Sequence, residues 1–393
     1  MAIADFSKAI ELQPQIPYFF LNRAISYAKQ NKFDLAIPDY TKSIELQPDL
    51  FLAYVDRAFA YRFLNKFDLA IADFTKGIEL VPREAGLYFE RGLTRSMAKE
   101  PEKSIADFSK AIELDPSDEG SYINRALNYK ILNKYELALA DLNKAIELKP
   151  GIAFAYAERG GAYLGLEKYD QALADINKAI ELEPKNSDFY VALAYYHYIT
   201  YDTENFILDS NKAIELDPKD AMAYNNRAYG LLKKGLLSQA IKDIDKALEL
   251  MPGLAMAHNN RGLYLLKMGK YNEALISIDK AESLDKELAE IYDNRGLLFI
   301  EKKEYDKALV EFDKAIHFKP KLAQAFLHRA EVNVNLKKYE NALNDINKAI
   351  ALNPKSWEAY RTRSAIYKKL GKTVEAKADE AKSAELKVKF PFA

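Results

Sequence analysis

The side chains able to do chemistry in this 393-residue sequence occur mostly as one recurring pair. An arginine stands at Arg23, Arg57, Arg91, Arg125, Arg159, Arg227, Arg261, Arg295, Arg329 and Arg363, and Leu193 fills the one gap in the series. An acid follows sixteen residues later, as in Arg23 with Asp39 or Arg125 with Asp141, and nine of the eleven positions hold both partners. A guanidinium and a carboxylate repeated at this spacing predict an ion pair between neighbouring helices. Their other use is a ladder of arginines gripping an acidic ligand, although acids matched one for one would already neutralise it.

Other reactive types are sparse. The four histidines, His197, His258, His317 and His328, stand far apart, with no H-E-x-x-H or comparable ligand spacing among them. His258 takes a position held elsewhere by Tyr or Phe, so packing accounts for it. The absence of cysteine removes disulfides, thiolate metal sites and cysteine nucleophiles. Neither G-x-x-x-x-G-K-[ST] nor G-x-G-x-x-G occurs, so no loop is expected to cradle phosphate. The chain is expected not to be an enzyme, with no cofactor and no metal.

The elements that position these residues follow from a repeat. Pro14, Pro48, Pro82, Pro116, Pro150, Pro184, Pro218 and Pro252 fall at every thirty-fourth position; Lys286 takes the next place, and Pro320 and Pro354 resume the series. A lysine recurs with the same period from Lys8 through Lys42 and Lys76 to Lys382. Ten units result, at 17–50, 51–84, 85–118, 119–152, 153–186, 187–220, 221–254, 255–288, 289–322 and 323–356. A C-terminal unit follows at 357–390 with a polar capping helix; residues 1–16 are a half repeat holding only a second helix, and 391–393 a tail. Within 119–152, Tyr122, Ala126 and Tyr129 share one helical face, as do Tyr135, Ala138, Leu142 and Ala145. The polar Asn133-Lys134 step joins the two blocks, and Pro150 stops the second. Each block predicts a helix of about 14 residues, about 21 Å long. Gly or Ala where the helices cross lets their backbones approach.

This pattern resembles the tetratricopeptide repeat, whose landmarks unit 153–186 matches at Tyr156, Gly160, Tyr163, Ala172, Ile176, Ala179 and Pro184. The resemblance covers residues 1–390. It implies an all-α fold, a right-handed superhelical solenoid of antiparallel helix pairs, with first helices lining a concave groove that takes peptides or partner domains. The expected function is therefore a protein–protein interaction scaffold.

Numbering positions from 1 to 34 within each unit, positions 2, 5, 9 and 12 form one stripe of the first helix. Position 5 is apolar at Leu21, Val55, Phe89, Ile123, Ala157 and Val191, then polar at Asn225, Asn259 and Asp293. This switch predicts an apolar groove over residues 17–199, with a polar stretch after it. Its expected partner-binding residues are Leu21, Val55, Phe59, Phe89, Ile123, Val191, Tyr195 and Tyr198, with Asn225 and Asn259 beyond. Positions 9 and 12 could equally be buried between adjacent first helices. No unit carries Lys at position 5 with Asn at position 9, the clamp by which some members of this family hold acidic C-terminal peptides.

Unit 187–220 departs furthest, with Leu193 for Arg, Phe206 for a small residue, Ser210 for an apolar one, and the run Tyr195, Tyr196, His197, Tyr198 and Tyr201. It reads either as a degraded repeat or as a bend or recognition site, and Phe206 predicts a local change of pitch. Pro38, inside a second helix, predicts a kink.

Hydrophobic residues make up 49% of the chain and charged residues 29%, and 57 basic against 58 acidic side chains leave a net charge of −1. No basic stripe results, so no nucleic acid is expected. No apolar run reaches membrane-spanning length, so no membrane is expected, and the N-terminus lacks signal-peptide features, which suggests a cytoplasmic protein. Ile3, Phe6, Ile10 and Leu12 are left as though another helix should cover them. That suggests a fragment of a longer array or a lone capping helix, and self-association through this half repeat is one further use. Lys377, Glu380 and Ala384 give the last helix the polar face of a cap. An alternative function is the recognition arm of a larger, glycosyltransferase-like enzyme whose catalytic part lies outside this chain. Asn22, Asn124, Asn226, Asn260 and Asn294 resemble the asparagine ladder of O-linked N-acetylglucosamine transferases, interrupted here by Asp56, Glu90, Glu158, Ala192, His328 and Thr362.

Overall fold

A computed structural model of the chain describes residues 2–390. Among them are 23 α-helices and no strand. They form two compact units, one ending at Pro184 and the other beginning at Lys185. The first holds α1 (Ala2–Leu12) and the hairpins α2 (Pro17–Ala28) with α3 (Phe33–Leu46), α4 (Phe51–Phe63) with α5 (Phe67–Leu80), and α6 (Ala85–Met97) with α7 (Pro101–Leu114). It continues with α8 (Glu119–Ile131) and α9 (Tyr135–Leu148), then α10 (Ala153–Gly165) and α11 (Tyr169–Leu182). The second unit pairs α12 (Ser187–Ile199) with α13 (Thr203–Leu216), α14 (Ala221–Lys233) with α15 (Leu237–Leu250), and α16 (Ala255–Lys267) with α17 (Tyr271–Leu284). Its remaining hairpins are α18 (Ala289–Glu301) with α19 (Tyr305–Phe318), α20 (Ala323–Asn335) with α21 (Tyr339–Leu352), and α22 (Trp357–Lys369) with α23 (Thr373–Lys389). The fold is all-α and of the solenoid class, each hairpin packing on the next within its unit.

The turn inside each hairpin depends on one backbone conformation. Asn31, Asn65, Lys99, Asn133, Glu167, Tyr201, Gly235, Gly269, Lys303, Lys337 and Gly371 occupy the same place in successive repeats, all with φ between 55° and 77°. The next N–H then returns to a carbonyl five residues back, as from Lys32 to Tyr27 at 3.0 Å and from Lys134 to Tyr129 at 2.8 Å. This left-handed C-cap closes the first helix and reverses the chain. Gly and Asn adopt it most readily, whereas at Tyr201 it strains a bulky residue by about 1–3 kcal/mol.

Small residues set the crossing of the two helices. Ala24, Ala58 and Ala126 are fully buried at position 8. At Gly296 a Cβ would stand 2.5 Å from the Phe312 ring, so only glycine fits beside that aromatic. Facing position 8 on the second helix, Tyr40, Phe74, Phe108, Leu142 and Ile176 are buried, each contributing about 1.5–3 kcal/mol of apolar transfer.

The recurring arginine joins three helices. Arg125 holds both oxygens of Asp141 on its own second helix at 2.8 and 2.6 Å, and its Nη1 donates to Ser109 of the preceding second helix at 3.0 Å. Arg23, Arg57, Arg91, Arg159, Arg227, Arg329 and Arg363 do the same with their acids and with a Ser, Thr, Asn or Asp sixteen residues earlier. Arg295 reaches Glu311 at 3.2 Å and Asp279 at 2.9 Å. Arg261 has Ser277 in place of an acid and leans on Asp245 at 2.8 Å. The ladder of arginines is therefore part of the wall.

Two irregular positions lie within helices. Helix α3 runs unbroken through Pro38, which deprives only the carbonyl of residue 34 of its helical donor. Phe206 is buried in α13, and Gly230 on α14 leaves room for its ring, since a Cβ there would lie 3.0 Å from Phe206 and 2.6 Å from Ile207. At the ends, α1 buries no residue completely and leaves Leu12 71% exposed. Helix α23 packs Ala376, Asp379, Ser383 and Leu386 inward and turns Lys377, Glu380 and Ala384 to solvent.

Replacing Asp141 with Ala would strand the Arg125 guanidinium, whose side chain is only 18% exposed. We expect a loss of about 3 kcal/mol by urea denaturation, larger than an exposed ion pair gives. Exchanging both partners for apolar residues, Arg125→Met with Asp141→Leu, should cost less than Asp141→Ala alone.

Candidate functional site

The structure distributes the sequence-derived anchors unevenly. Leu21 and Ile123 are buried, with 4% and 8% exposure, and serve the packing of neighbouring first helices. Val55, Phe59, Phe89 and Val191 are half-buried. Phe59 sets its edge against Phe74 at 5.4 Å with the Arg62 guanidinium 4.9 Å from its centroid, and Phe89 meets Phe108 at 5.6 Å. Both phenylalanines thus belong partly to the wall. Tyr195 and Tyr198 are exposed, their rings 6.0 Å apart on α12.

Asn225 and Asn259 are 2% exposed, and their amides are engaged by the next first helix. Asn260 Nδ2 donates to Asn225 Oδ1, and Asn294 Nδ2 to Asn259 Oδ1, both at 2.9 Å. His328 Nδ1 lies 2.9 Å from Asp293 in the same relation, so position 5 and the following position 6 form a ladder between adjacent first helices. The polar turn in the position-5 series is therefore a change in how the wall is joined. The interrupted asparagines at 260 and 294 belong to that seam too.

Burial disfavours the charged imidazolium of His328, but the carboxylates of Asp293, Glu331 and Glu358 outweigh it and raise its pKa above the usual value. Glu331, half-buried close by, is itself raised above the ordinary carboxylate value by desolvation.

The second unit carries an open cavity of about 310 Å³. One side consists of Tyr198, Tyr201, Phe206, Tyr229 and Lys233 from α12 to α14. The other consists of Leu322, Gln324 and Asn353, far later in the sequence, from the start of α20 and the loop leading into α22. Tyr198 and Tyr229 meet edge-on at 5.3 Å. The neighbouring Tyr229, with burial second, pushes the Tyr198 phenol up, and burial pushes Tyr229 up to about 12. Burial lowers the Lys233 pKa, with Glu358 opposing, and its ammonium lies 5.5 Å from the Tyr229 ring. At the rim, Lys355 Nζ sits between two rings, 5.5 Å from Tyr201 and 5.1 Å from Phe390.

The same hairpin keeps its acid although Leu193 replaces the arginine. His197, one turn further along α12, lies 2.6 Å from Asp209 through Nδ1. Arg95 and Asn333 approach Asp107 and Asp345 from the equivalent position, at 2.8 and 3.2 Å. His258 also has a wall function, with Nε2 3.0 Å from the Pro252 carbonyl where Tyr54 and Tyr88 donate to Pro48 and Pro82.

Among the described residues no group of three His, Cys, Asp or Glu side chains is placed to hold a metal. No described helix is long and apolar enough to cross a membrane. The cavity offers aromatic surface, phenolic hydroxyls, two amides, the His197 imidazole and one ammonium.

Sequence models of the tetratricopeptide repeat match residues 17–50, 55–119, 120–152, 153–186, 256–288, 289–322 and 323–356. No curated protein sequence matches the chain. Among solved structures, the human IFIT1 dimer with m7Gppp-AAAA is similar at TM-score 0.56 and 15% identity, over 98% of this chain and 94% of that one. The APC/C hetero-tetramer Cut9–Hcn1 is similar at TM-score 0.55 and 14% identity, over 98% and 90%. A tetratricopeptide repeat protein from Parabacteroides merdae is similar at TM-score 0.55 and 20% identity, over 63% and 98%. At these identities the likeness is one of fold.

The His328–Asp293 contact gives a pH test. With its folded pKa above 6.5, His328 contributes stability that is complete below pH 6.5 and is lost as pH rises through the folded value. Thermal stability followed from pH 6 to 9 should fall in the native chain. The decline should be shallower in His328→Asn, whose amide can keep the bond to Asp293 without titrating.

Proposed function

The chain belongs to the tetratricopeptide repeat family, and from that premise we propose that it holds an extended segment of a partner polypeptide on its first-helix face, with the tyrosine-lined cavity of the second unit as the main anchor. Proteins built from these repeats are generally interaction scaffolds without enzymatic activity. The observation that carries the finer reading is the cavity of about 310 Å³ at Tyr198, Tyr201 and Tyr229. It is large enough for one or two apolar side chains, each worth about 1.5–3 kcal/mol on burial.

The tyrosines supply rigid contact area at low entropic cost, with hydroxyls able to bond a passing backbone. The Asn353 side chain and the Lys233 ammonium add polar contacts at fixed places. Val191 and Tyr195, on the same helix as Tyr198, extend this surface beyond the cavity. In the first unit Val55, Phe59 and Phe89 remain half-exposed on first helices and give a weaker, drier stripe. A few such anchors would dominate the affinity, surrounded by near-neutral contacts.

Tyr195 separates binding from folding best, because it is 51% exposed and meets the Tyr198 ring, whereas Tyr198 also packs on Phe206 and Tyr229, and Phe59 and Phe89 on Phe74 and Phe108. Peptides selected from a random display library on the immobilised chain should bind Tyr198→Ala and Tyr195→Ala at least tenfold more weakly, about 1.4 kcal/mol, with far-ultraviolet circular dichroism unchanged. Selected peptides that bind both variants as tightly as the native chain would refute the tyrosine anchor.

A further inference from the structure

Position 12 of one first helix meets position 6 of the next on the first-helix face of the first unit. Wherever position 6 is an acid, the charge at position 12 can be checked. Arg62 Nη1 lies 2.7 Å from Glu90 Oε2, and Lys130 is ion-paired with Glu158. Arg62 is also held by rings, 4.9 Å from the Phe59 centroid and 5.9 Å from that of Phe74. The third acid in this position is Asp56, and the matching position 12 holds Ala28. No described cation lies within 4.0 Å of the Asp56 carboxylate, and no described residue hydrogen-bonds its side chain.

A cavity of about 410 Å³ opens at this place, lined by Ile25, Ala28, Tyr40, Asp56 and Phe59 and rimmed by Phe33 and Phe63. The rim rings are stacked, 4.8 Å apart and 7° from parallel. One repeat earlier, Tyr40 occupies the position of Phe74 and Ala28 that of Arg62. The cavity thus lies where the next repeat places its guanidinium. Burial lifts Asp56 to about 6, as expected of a carboxylate in an aromatic pocket with no cation beside it. Lys29 also borders the cavity but is exposed and forms no ion pair with Asp56.

We propose that this cavity is a socket for a basic side chain of a partner polypeptide, in which Asp56 receives a guanidinium or ammonium group flanked by Tyr40 and Phe59. Charge complementarity selects the occupant. A cation there gains a partly desolvated carboxylate together with aromatic faces, whereas a neutral side chain leaves the carboxylate uncompensated. The chain itself supplies the template in Arg62 with Glu90. This inference rests on the first-helix face as the binding face and adds the charge class of one partner residue.

The test is a titration of the full chain with N-acetyl-arginine amide and with N-acetyl-citrulline amide, its neutral isostere, read at the Ile25 methyl resonance. The arginine probe should give a saturable shift in the millimolar range, and the citrulline probe at least a fivefold weaker one. Asp56→Asn should abolish the preference. Ala28→Arg should supply the missing cation from within, raise Tm, and abolish the response to either probe. No response in the native chain, equal responses to both probes, or an arginine response undiminished in Ala28→Arg and Asp56→Asn would overturn the socket. The titration uses no partner, so its failure leaves the tyrosine anchor standing, and a failed display selection leaves this result standing.

Discussion

A single guanidinium group ties the helices together in ten of the eleven complete hairpins, Leu193 taking its place in the other. Arg57 bonds Asp73 on its own second helix at 2.7 and 2.8 Å, bonds Thr41 on the preceding one at 2.9 Å, and lies 5.8 Å from the rings of Tyr54 and Tyr61. Its planar fork leaves little freedom in how the three helices stand, because Nε and Nη2 both hold Asp73 on one second helix while Nη1 holds Thr41 on the preceding one. Adding or removing a residue within either helix, between its arginine or acid and the turn, would rotate that partner by about 100° around its helix and break the contact. The period of the repeat is thus enforced by polar geometry as well as by apolar burial. A buried ion pair contributes little net stability over an apolar replacement, so its value here lies in registering one hairpin on the next.

The seams between adjacent first helices use two chemistries. In the first unit Arg62 with Glu90 and Lys130 with Glu158 join neighbours by charge. In the second, Asn260 with Asn225 and Asn294 with Asn259 join them by amides, and His328 with Asp293 ends that run. The seam determines what remains for a partner. Where amides hold the wall they are sealed within it, whereas Tyr195 and Tyr198 of α12 stay exposed.

Much of this was legible in the sequence, because a repeat announces every contact made at a fixed spacing. The arginine–acid pairs, the small residues at the crossings, the family and the all-α fold class all follow from residue types that recur at one period. The second bond of each arginine, to the Ser, Thr, Asn or Asp sixteen residues earlier, left a signal in that recurring polar position that reading within single units did not reveal. Asn225 and Asn259 were harder, since an asparagine on a groove stripe and one on a helix seam share the same helical phase. The cavity was not legible at all. Tyr198 and Asn353 lie several repeats apart in the sequence, and no periodicity relates them. Lys233, Leu322 and Gln324 carried no signal for the same reason.

Departures from the repeat differ in whether the chain repairs them, and this separates structure from recognition. Leu193 deprives Asp209 of its arginine, and His197 takes the place. Phe206 is too large for a crossing position, and Gly230 on the next helix makes room. Both are complete within the wall and require nothing from outside. Tyr201 is only partly repaired: its strained backbone stands where Gly235, Gly269 and Gly371 are free of strain, and its ring is held by Lys355 and Phe390 at the rim of a cavity that stays open. Ala28 is not repaired at all, because nothing among the described residues neutralises Asp56. A half-buried carboxylate beside aromatic rings without a counter-charge costs stability that a cation placed against it would remove. The Asp56 carboxylate, unlike Glu90 and Glu158 in the same position, is therefore left with a charge that a second molecule could meet.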